Sequence, residues 1–407
     1  MRGKTIEYIG TEEPKEDYGR IYDGRGKLLM PGFYNCHGHS TMTLMRGYGE
    51  NMVLQDWLNK LIFPFEDRLT SKAVYWGTLL GMAESIRFGI VSTSDMYYFI
   101  DDMVEAVAQS GAKNNISRAI ANFQDENLWQ LPSMQEMKRT FREYNNSQDG
   151  KIKIDVSIHA EYTSTELAAR TVSEFGKEVG AIMHVHASET KLEHEECKKR
   201  RGGLTPIEYF NRCGAFDIPA IAAHCVWIED GDYDILREKN VTVAVNPISN
   251  LKLASGICNV PKLLQNGINV GIGTDSVASN NSLNFFEEMK IFGIASKAML
   301  SDPQVVTPVE TLRAATIGGA LAQGRTDCGC IKQGNMADLI VVDLSKPNMH
   351  PIHNIINNLV YSACGSDVLL TMVDGKVLYE NGQYTSIDIE KTIFEAERAT
   401  KDILAQL

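Results

Sequence analysis

The sequence predicts a closed parallel α/β barrel, a (β/α)8 or TIM barrel, with a small β-sandwich domain formed by the N- and C-terminal segments. Three observations predict it. Eight short apolar segments recur along the chain, separated by stretches long enough for a crossover helix. Most of them are rich in Val and Ile and end in polar or charged residues. Towards the end of the chain this rhythm gives way to short strands around a tight turn. A doubly wound open sheet shares the first observation, and counting segments does not exclude it.

In order, the segments lie at 29–39, 89–97, 115–122, 152–162, 181–189, 220–228, 241–246 and 269–275. The stretch 165–178 illustrates what joins them, with Leu167, Ala168, Val172 and Phe175 at helical spacing. The barrel is assigned residues 31–335. The small domain takes 1–30 and 336–407, where 337–343 reads as a strand and 368–379 as strand, turn and strand around Asp374-Gly375. Stretches 5–9 and 27–30 read as further short strands. No internal repeat, low-complexity tract or linker interrupts the pattern.

Bulk properties narrow the function classes. A chain of 407 residues that is 43% hydrophobic supports a large core. Its net charge of −12 argues against a nucleic-acid binder, which needs a basic surface. The cysteines Cys36, Cys197, Cys213, Cys225, Cys258, Cys328, Cys330 and Cys364 form neither a disulfide framework nor a zinc knuckle. They read as reduced thiols of a cytoplasmic protein. The start, Met1-Arg2-Gly3-Lys4, runs into charged sequence without the apolar core of a signal peptide. No apolar run approaches the ~20 residues of a membrane span.

Four segment ends carry chemistry. His37-Gly38-His39 places two imidazoles on one face of a strand, close enough to share a metal. Next, His184-Val185-His186-Ala187-Ser188-Glu189 offers a ligand followed by an acid/base; spacing alone does not choose between His184 and His186. Ala222-Ala223-His224-Cys225 ends a third segment in a histidine. Gly271-Ile272-Gly273-Thr274-Asp275-Ser276 closes the fourth on an aspartate. Each alone reads equally as a core histidine or a helix cap. Together they gather three neutral imidazoles and a carboxylate, a donor set suited to Zn2+ with a position left for water. The small zinc deaminases use H-x-E followed by P-C-x-x-C; His159-Ala160-Glu161 matches the first half, but no P-C-x-x-C follows.

The segment from Pro31 to His39 resembles the first-strand motif of the amidohydrolase superfamily. The likeness continues through His159 to Thr163, His186 to Glu189, Ala223-His224-Cys225, Asn246 to Leu253, Gly273 to Asn281 and the tail with Gly334 and Ala337-Asp338-Leu339. It covers nearly the whole chain and is nearest to the methylthioadenosine/S-adenosylhomocysteine deaminase group, in a branch that also holds guanine deaminases and triazine chlorohydrolases. The resemblance implies hydrolytic deamination of a small purine-type substrate at one divalent ion, Zn2+ foremost, with Fe2+ or Mn2+ able to occupy the same ligands. His37, His39, His186 and Asp275 are the implied ligands; Glu189 and His224 the implied proton-transfer groups, aided by Asp275. Binuclear relatives end the fourth strand in a modified lysine, whereas His159 stands here, which supports one metal.

The resemblance also assigns substrate contacts: Trp57 and Glu66 on the ribose side, His159 and Glu189 at the base, Ser279 near the site. Arg118 matches one of two arginines that hold the carboxylate of S-adenosylhomocysteine; the other has no counterpart, since 125–135 contains no Arg. An adenosine-type nucleoside is therefore the leading substrate class. Guanine, pterin, cytosine-type rings and chlorotriazines keep the same metal site and form the alternative. A non-catalytic scaffold relative would be expected to lose ligands, and all are present. Homo-oligomers are common in the family. Relatives carry further N-terminal strands before the segment resembling 5–10, so the expectation is either an incomplete small β domain or a numbered start downstream of the natural one.

Overall fold

The computed structural model describes residues 1–13 and 19–407. Strand β1 (Lys27–Pro31) belongs to a small sheet, and β2 (Phe33–Gly38) opens the barrel. The single strand expected over 29–39 is thus two strands in two sheets. They part at Gly32, where a Cβ would lie 2.2 Å from a methyl of Val91, so only glycine lets the chain cross this close to β3 (Ile90–Tyr97). Hydrophobic periodicity carries no mark of such a change of sheet.

The barrel continues through β4 (Lys113–Ile120), β5 (Ile152–Ile158), β6 (Met183–Ala187), β7 (Ala220–His224), β8 (Thr242–Val245) and β9 (Val270–Ile272). All eight strands are parallel and neighbour one another in chain order. Closure is explicit: the Asp275 N–H donates to the His37 carbonyl at 3.0 Å, and Gly38 bridges Asp275 in the parallel sense. That contact rules out the open sheet, whose first and last strands remain apart. Several strands stop short of their apolar segments, at Ile158, His224 and Ile272, because the polar residues that follow leave the ladder and turn over the barrel mouth.

Crossover helices form where their ends are specified. The helix Glu166–Val179 starts at Thr165, whose hydroxyl accepts the Ala168 N–H, and ends at Gly180 in the left-handed region (φ 67°). Its Val172 and Phe175 pack with Val156 and Met183 of the sheet. Cys36, Ile221, Ala223 and Ala244 of the barrel strands form one apolar cluster.

The two ends of the chain meet in one five-stranded antiparallel sheet of order β1-β10-β11-β12-β13, with β10 (Leu339–Asp343), β11 (Val368–Val373), β12 (Lys376–Glu380) and β13 (Gln383–Tyr384). Asp374 and Gly375 both have positive φ (49° and 72°), as a two-residue hairpin turn requires. The strand expected over 5–9 is absent: Thr5 makes only isolated bridges to Arg2 and Met336. Ile6 and Tyr22 nonetheless pack on Leu339, Val341, Leu370 and Met372, so among the described residues irregular chain stands where a sandwich would have its second layer. The opposite face rests on the barrel. The last helix, Ile389–Leu404, leaves the sheet and packs against the barrel helix Ser71–Arg87.

Beneath the barrel, at the N-terminal ends of its strands, charge is buried in pairs. Lys113 reaches both Asp338 and Asp374 (2.7 Å to the latter), and the Tyr34 hydroxyl donates to Asp338 at 2.7 Å. Among the described residues no helix is long and apolar enough to cross a membrane.

Candidate active site

At the other end, the ends of β2, β6, β7 and β9 bring His37, His39, His186, His224 and Asp275 together. The donor atoms of His37, His39 and Asp275 lie within 4.8 Å of one another, as do those of His37, His186 and His224. His39 Nε2 and His186 Nε2 are 3.3 Å apart, and Asp275 Oδ1 is 3.3 Å from His39 Nε2 and 3.5 Å from His37 Nε2. Backbone carbonyls orient two rings: His39 Nδ1 donates to Met96 O (2.6 Å) and His186 Nδ1 to His159 O (2.8 Å), which turns both Nε2 lone pairs inward. His37 Nε2 is buried without a hydrogen-bond partner. Lone pairs converging in a buried space repel unless a cation lies between them, so the arrangement suits a divalent metal ion.

Electrostatics agree. Burial, reinforced by neighbouring imidazoles, holds His184 and His186 well below the usual histidine range, and burial lowers His37. His159 is brought down to about 4 and His224 to about 3, both chiefly by burial. These rings are neutral at pH 7, the form that ligates metal. Burial also acts on His39, but Asp275 and the Met96 carbonyl outweigh it and raise that ring. For Asp275, burial pushes the carboxyl up, and the imidazoles of His37 and His39 overcome it and hold it well below its ordinary range.

The backbone is strained where these groups are presented. Ser188 (φ 52°), His224 (74°), Cys225 (47°) and Asp275 (58°) all occupy the left-handed region at strand ends. Gly273 makes the crowding possible: a Cβ there would lie 2.2 Å from Asn246 Oδ1 and 2.9 Å from His37 Cβ.

Glu189 is buried and lies 3.7 Å from His224 Nε2. Burial raises its carboxyl well above the usual range, and the nearby charges of Asp275 and Glu193 add to the effect. His224 Nδ1 faces the side-chain amides of Asn246 (3.1 Å) and Asn250 (2.9 Å); donation from either leaves the ring hydrogen on Nε2, towards Glu189.

The remaining sequence-predicted residues fall into two spaces. Trp57, Glu66, His159, Glu189, His224, Asp275 and Ser279 line one pocket. Trp57 is buried with Leu54 and Leu58 in its apolar wall, beside a π-helical turn, Leu58–Ile62. Burial pushes Glu66 up to about 7 although Tyr97 and Tyr98 draw it down. Ser279 donates to Asp275 Oδ2 at 3.1 Å, alongside Ser249 at 2.5 Å. Arg118 stands apart, in an adjoining outer chamber, paired with Glu136 at 2.7 Å.

Two supporting residues, His184 and Glu193, stand behind the site, and only His184 figures in the sequence reading. His184 Nε2 lies 2.9 Å from His37 Nδ1 and fixes that ring, whereas His186 Nε2 faces His39 Nε2 in the converging group. Glu193 accepts the backbone N–H groups of Ser188 (3.0 Å) and Glu189 (2.7 Å) and so holds the loop that presents Glu189. The Thr190-x-x-Glu193 pattern at the start of the helix Lys191–Arg200 is the signal that would have found it.

Residues 28–378 match the amidohydrolase family. The chain belongs to that family. This amidohydrolase is thus a hydrolytic enzyme. It is 38% identical over 405 residues to a 5-methylthioadenosine/S-adenosylhomocysteine deaminase of Thermoanaerobacter pseudethanolicus, spanning 99% of this chain and 94% of that one. To a 5′-deoxyadenosine deaminase of Methanosarcina acetivorans it is 41% identical over 404 residues, 99% and 92% of the two chains. Among solved structures it superimposes on a zinc-bound adenosine deaminase from Xanthomonas campestris with a TM-score of 0.88 at 30% identity, over 93% of this chain and 87% of that one.

Proposed function

We propose that this amidohydrolase removes the exocyclic amino group of an adenosine-type nucleoside by hydrolysis, using one divalent ion, Zn2+, held by His37, His39, His186 and Asp275. The reading rests on one juxtaposition: a buried carboxyl, Glu189, whose burial favours its protonated form, 3.7 Å from His224 and beside the converging imidazoles. The names of the relatives and the zinc of the Xanthomonas enzyme support it. A bound divalent ion supplies the Lewis acidity that makes water a nucleophile at neutral pH.

The protein's own groups do the rest. His224, with its hydrogen on Nε2, orients the attacking water towards the ring carbon that carries the amine. Glu189 gives its proton to the adjacent ring nitrogen, so that negative charge does not accumulate on the ring as the C–O bond forms. Water gives up two protons in turn: one passes by Asp275 or Glu189 to the departing nitrogen, and the one left on the new C–O group returns to Glu189 as the C–N bond breaks, the carbonyl forms and ammonia leaves. Glu66 accepts from the ribose hydroxyls, Trp57 with Leu54 and Leu58 forms the apolar wall, and His159 and Ser279 lie beside the base. With eight unpaired thiols the enzyme suits the cytoplasm.

Ammonia release by metal-replete protein, measured with adenosine, methylthioadenosine, 5′-deoxyadenosine, S-adenosylhomocysteine, guanine and a pterin, tests the reading. Turnover of the nucleosides is expected. Turnover of guanine or the pterin alone would overturn the ribose roles of Glu66 and Trp57.

A further inference from the structure

Beyond the pocket that holds the chemistry lies an outer chamber of ≈ 430 Å³. The two spaces share Phe63, Glu66, Tyr98 and His159, so a nucleoside with its ribose against Glu66 directs its 5′ substituent into the chamber. Three carboxylates line it, Glu66, Asp67 and Glu136, with Arg118 the one lysine or arginine among its described lining residues.

That guanidinium is paired within the protein through two of its nitrogens and one face. Arg118 Nε donates to Glu136 Oε2 at 2.7 Å, Nη1 donates to the Ala119 carbonyl, and the plane lies 4.7 Å over the Tyr98 ring. Glu136 is held as firmly. Its other oxygen, Oε1, accepts the Ile100 N–H at 2.9 Å, capping the helix Ile100–Ser110 that Phe99 leaves without a side-chain cap. With both oxygens occupied, the carboxylate has no easy alternative position. Both side chains are four-fifths buried, where such a pair is screened only partly by solvent.

We propose that Glu136 is a specificity-determining residue: by pairing with Arg118 it cancels the charge of the chamber's one described lysine or arginine, so that the enzyme selects nucleosides whose 5′ group carries no negative charge. An anionic 5′ group entering here meets carboxylates and a guanidinium already paired; an uncharged one meets Phe63, Phe99 and Phe123. The inference rests on the adenosine-type reading above and deepens it.

The test compares kcat/KM for methylthioadenosine with that for its 5′-(2-carboxyethyl)thio analogue, which bears a carboxylate and no amine. The wild-type enzyme is expected to favour the neutral compound by about tenfold or more, and Glu136→Gln to reduce that ratio by about tenfold, one charge-assisted hydrogen bond being worth that much. Glutamine keeps an oxygen for the Ile100 N–H, so the fold is retained. Adding Arg118→Gln to Glu136→Gln is expected to restore the wild-type ratio. Equal use of both compounds by the wild type, a ratio unmoved in Glu136→Gln, or a gain that persists in the double variant would each overturn the inference while leaving the deaminase reading standing. Failure of the wild type to deaminate any adenosine-type nucleoside would overturn both.

Discussion

At the N-terminal end of the barrel, Lys113 is buried against two carboxylates and a tyrosine hydroxyl braces one of them. At the C-terminal end, imidazoles and a carboxylate converge with His37 Nε2 and His224 Nε2 buried and unpartnered. One fold thus treats buried polar groups in opposite ways. Below, countercharges are supplied by the chain and join the small sheet to the barrel. Above, the imidazoles are held in place by supports behind them, and their inward sides converge on one another. The backbone follows the same division: positive φ at Ser188, His224, Cys225 and Asp275 marks the upper end.

The comparison can be pressed from its strongest consequence down. Glu189→Gln removes the transferable proton and keeps the shape; kcat is expected to fall by roughly 10²- to 10⁴-fold with metal content unchanged. Near-normal turnover would remove Glu189 from the chemistry. Lys113→Met, at the other end, strands Asp338 and Asp374 as unpaired buried acids. Denaturant melts should show a loss of about 3–5 kcal/mol, with kcat of the folded fraction unaffected. A matching drop in kcat would mean that the two ends are not independent.

The smallest effect concerns an exception in the lower half. Burial raises the Asp155 carboxyl to about 7, although Asn115 donates to it at 3.1 Å. An unfolded aspartate titrates near 4, so the folded state binds this proton more tightly. The contribution of Asp155 is therefore complete below about pH 4 and is lost as pH rises towards 7. Melting temperatures of Asp155→Asn across that interval should decline less steeply than those of the wild type; parallel curves would show that the carboxyl is compensated after all.

The sequence made the upper end legible and the lower end nearly invisible. Alternation along a strand places His37 and His39 on one face, and the polar ends of apolar segments locate His186, His224 and Asp275, because these signals are local. The residues behind them are not local. Asn250 meets His224 across 26 residues, His184 meets His37 across 147, and Lys113 meets Asp338 across 225. No periodicity encodes such pairings. Glu136 escaped for the same reason, as a helix surface position whose partners lie on a strand and at another helix's start. The break at Gly32 and the missing strand at 5–9 show the converse: local pattern names a strand without saying which sheet will accept it, or whether one will.

The division between the pocket and its outer chamber has a bearing on descent. The converging imidazoles and Asp275 sit at strand ends locked into the closed barrel, whereas Phe99, Phe123 and Glu136 come from connections outside the ladder. Insertions or exchanges in those connections leave hydrolysis untouched while altering what is admitted. A lineage built on this plan is free to acquire new substrates by small steps, each passing through a working enzyme.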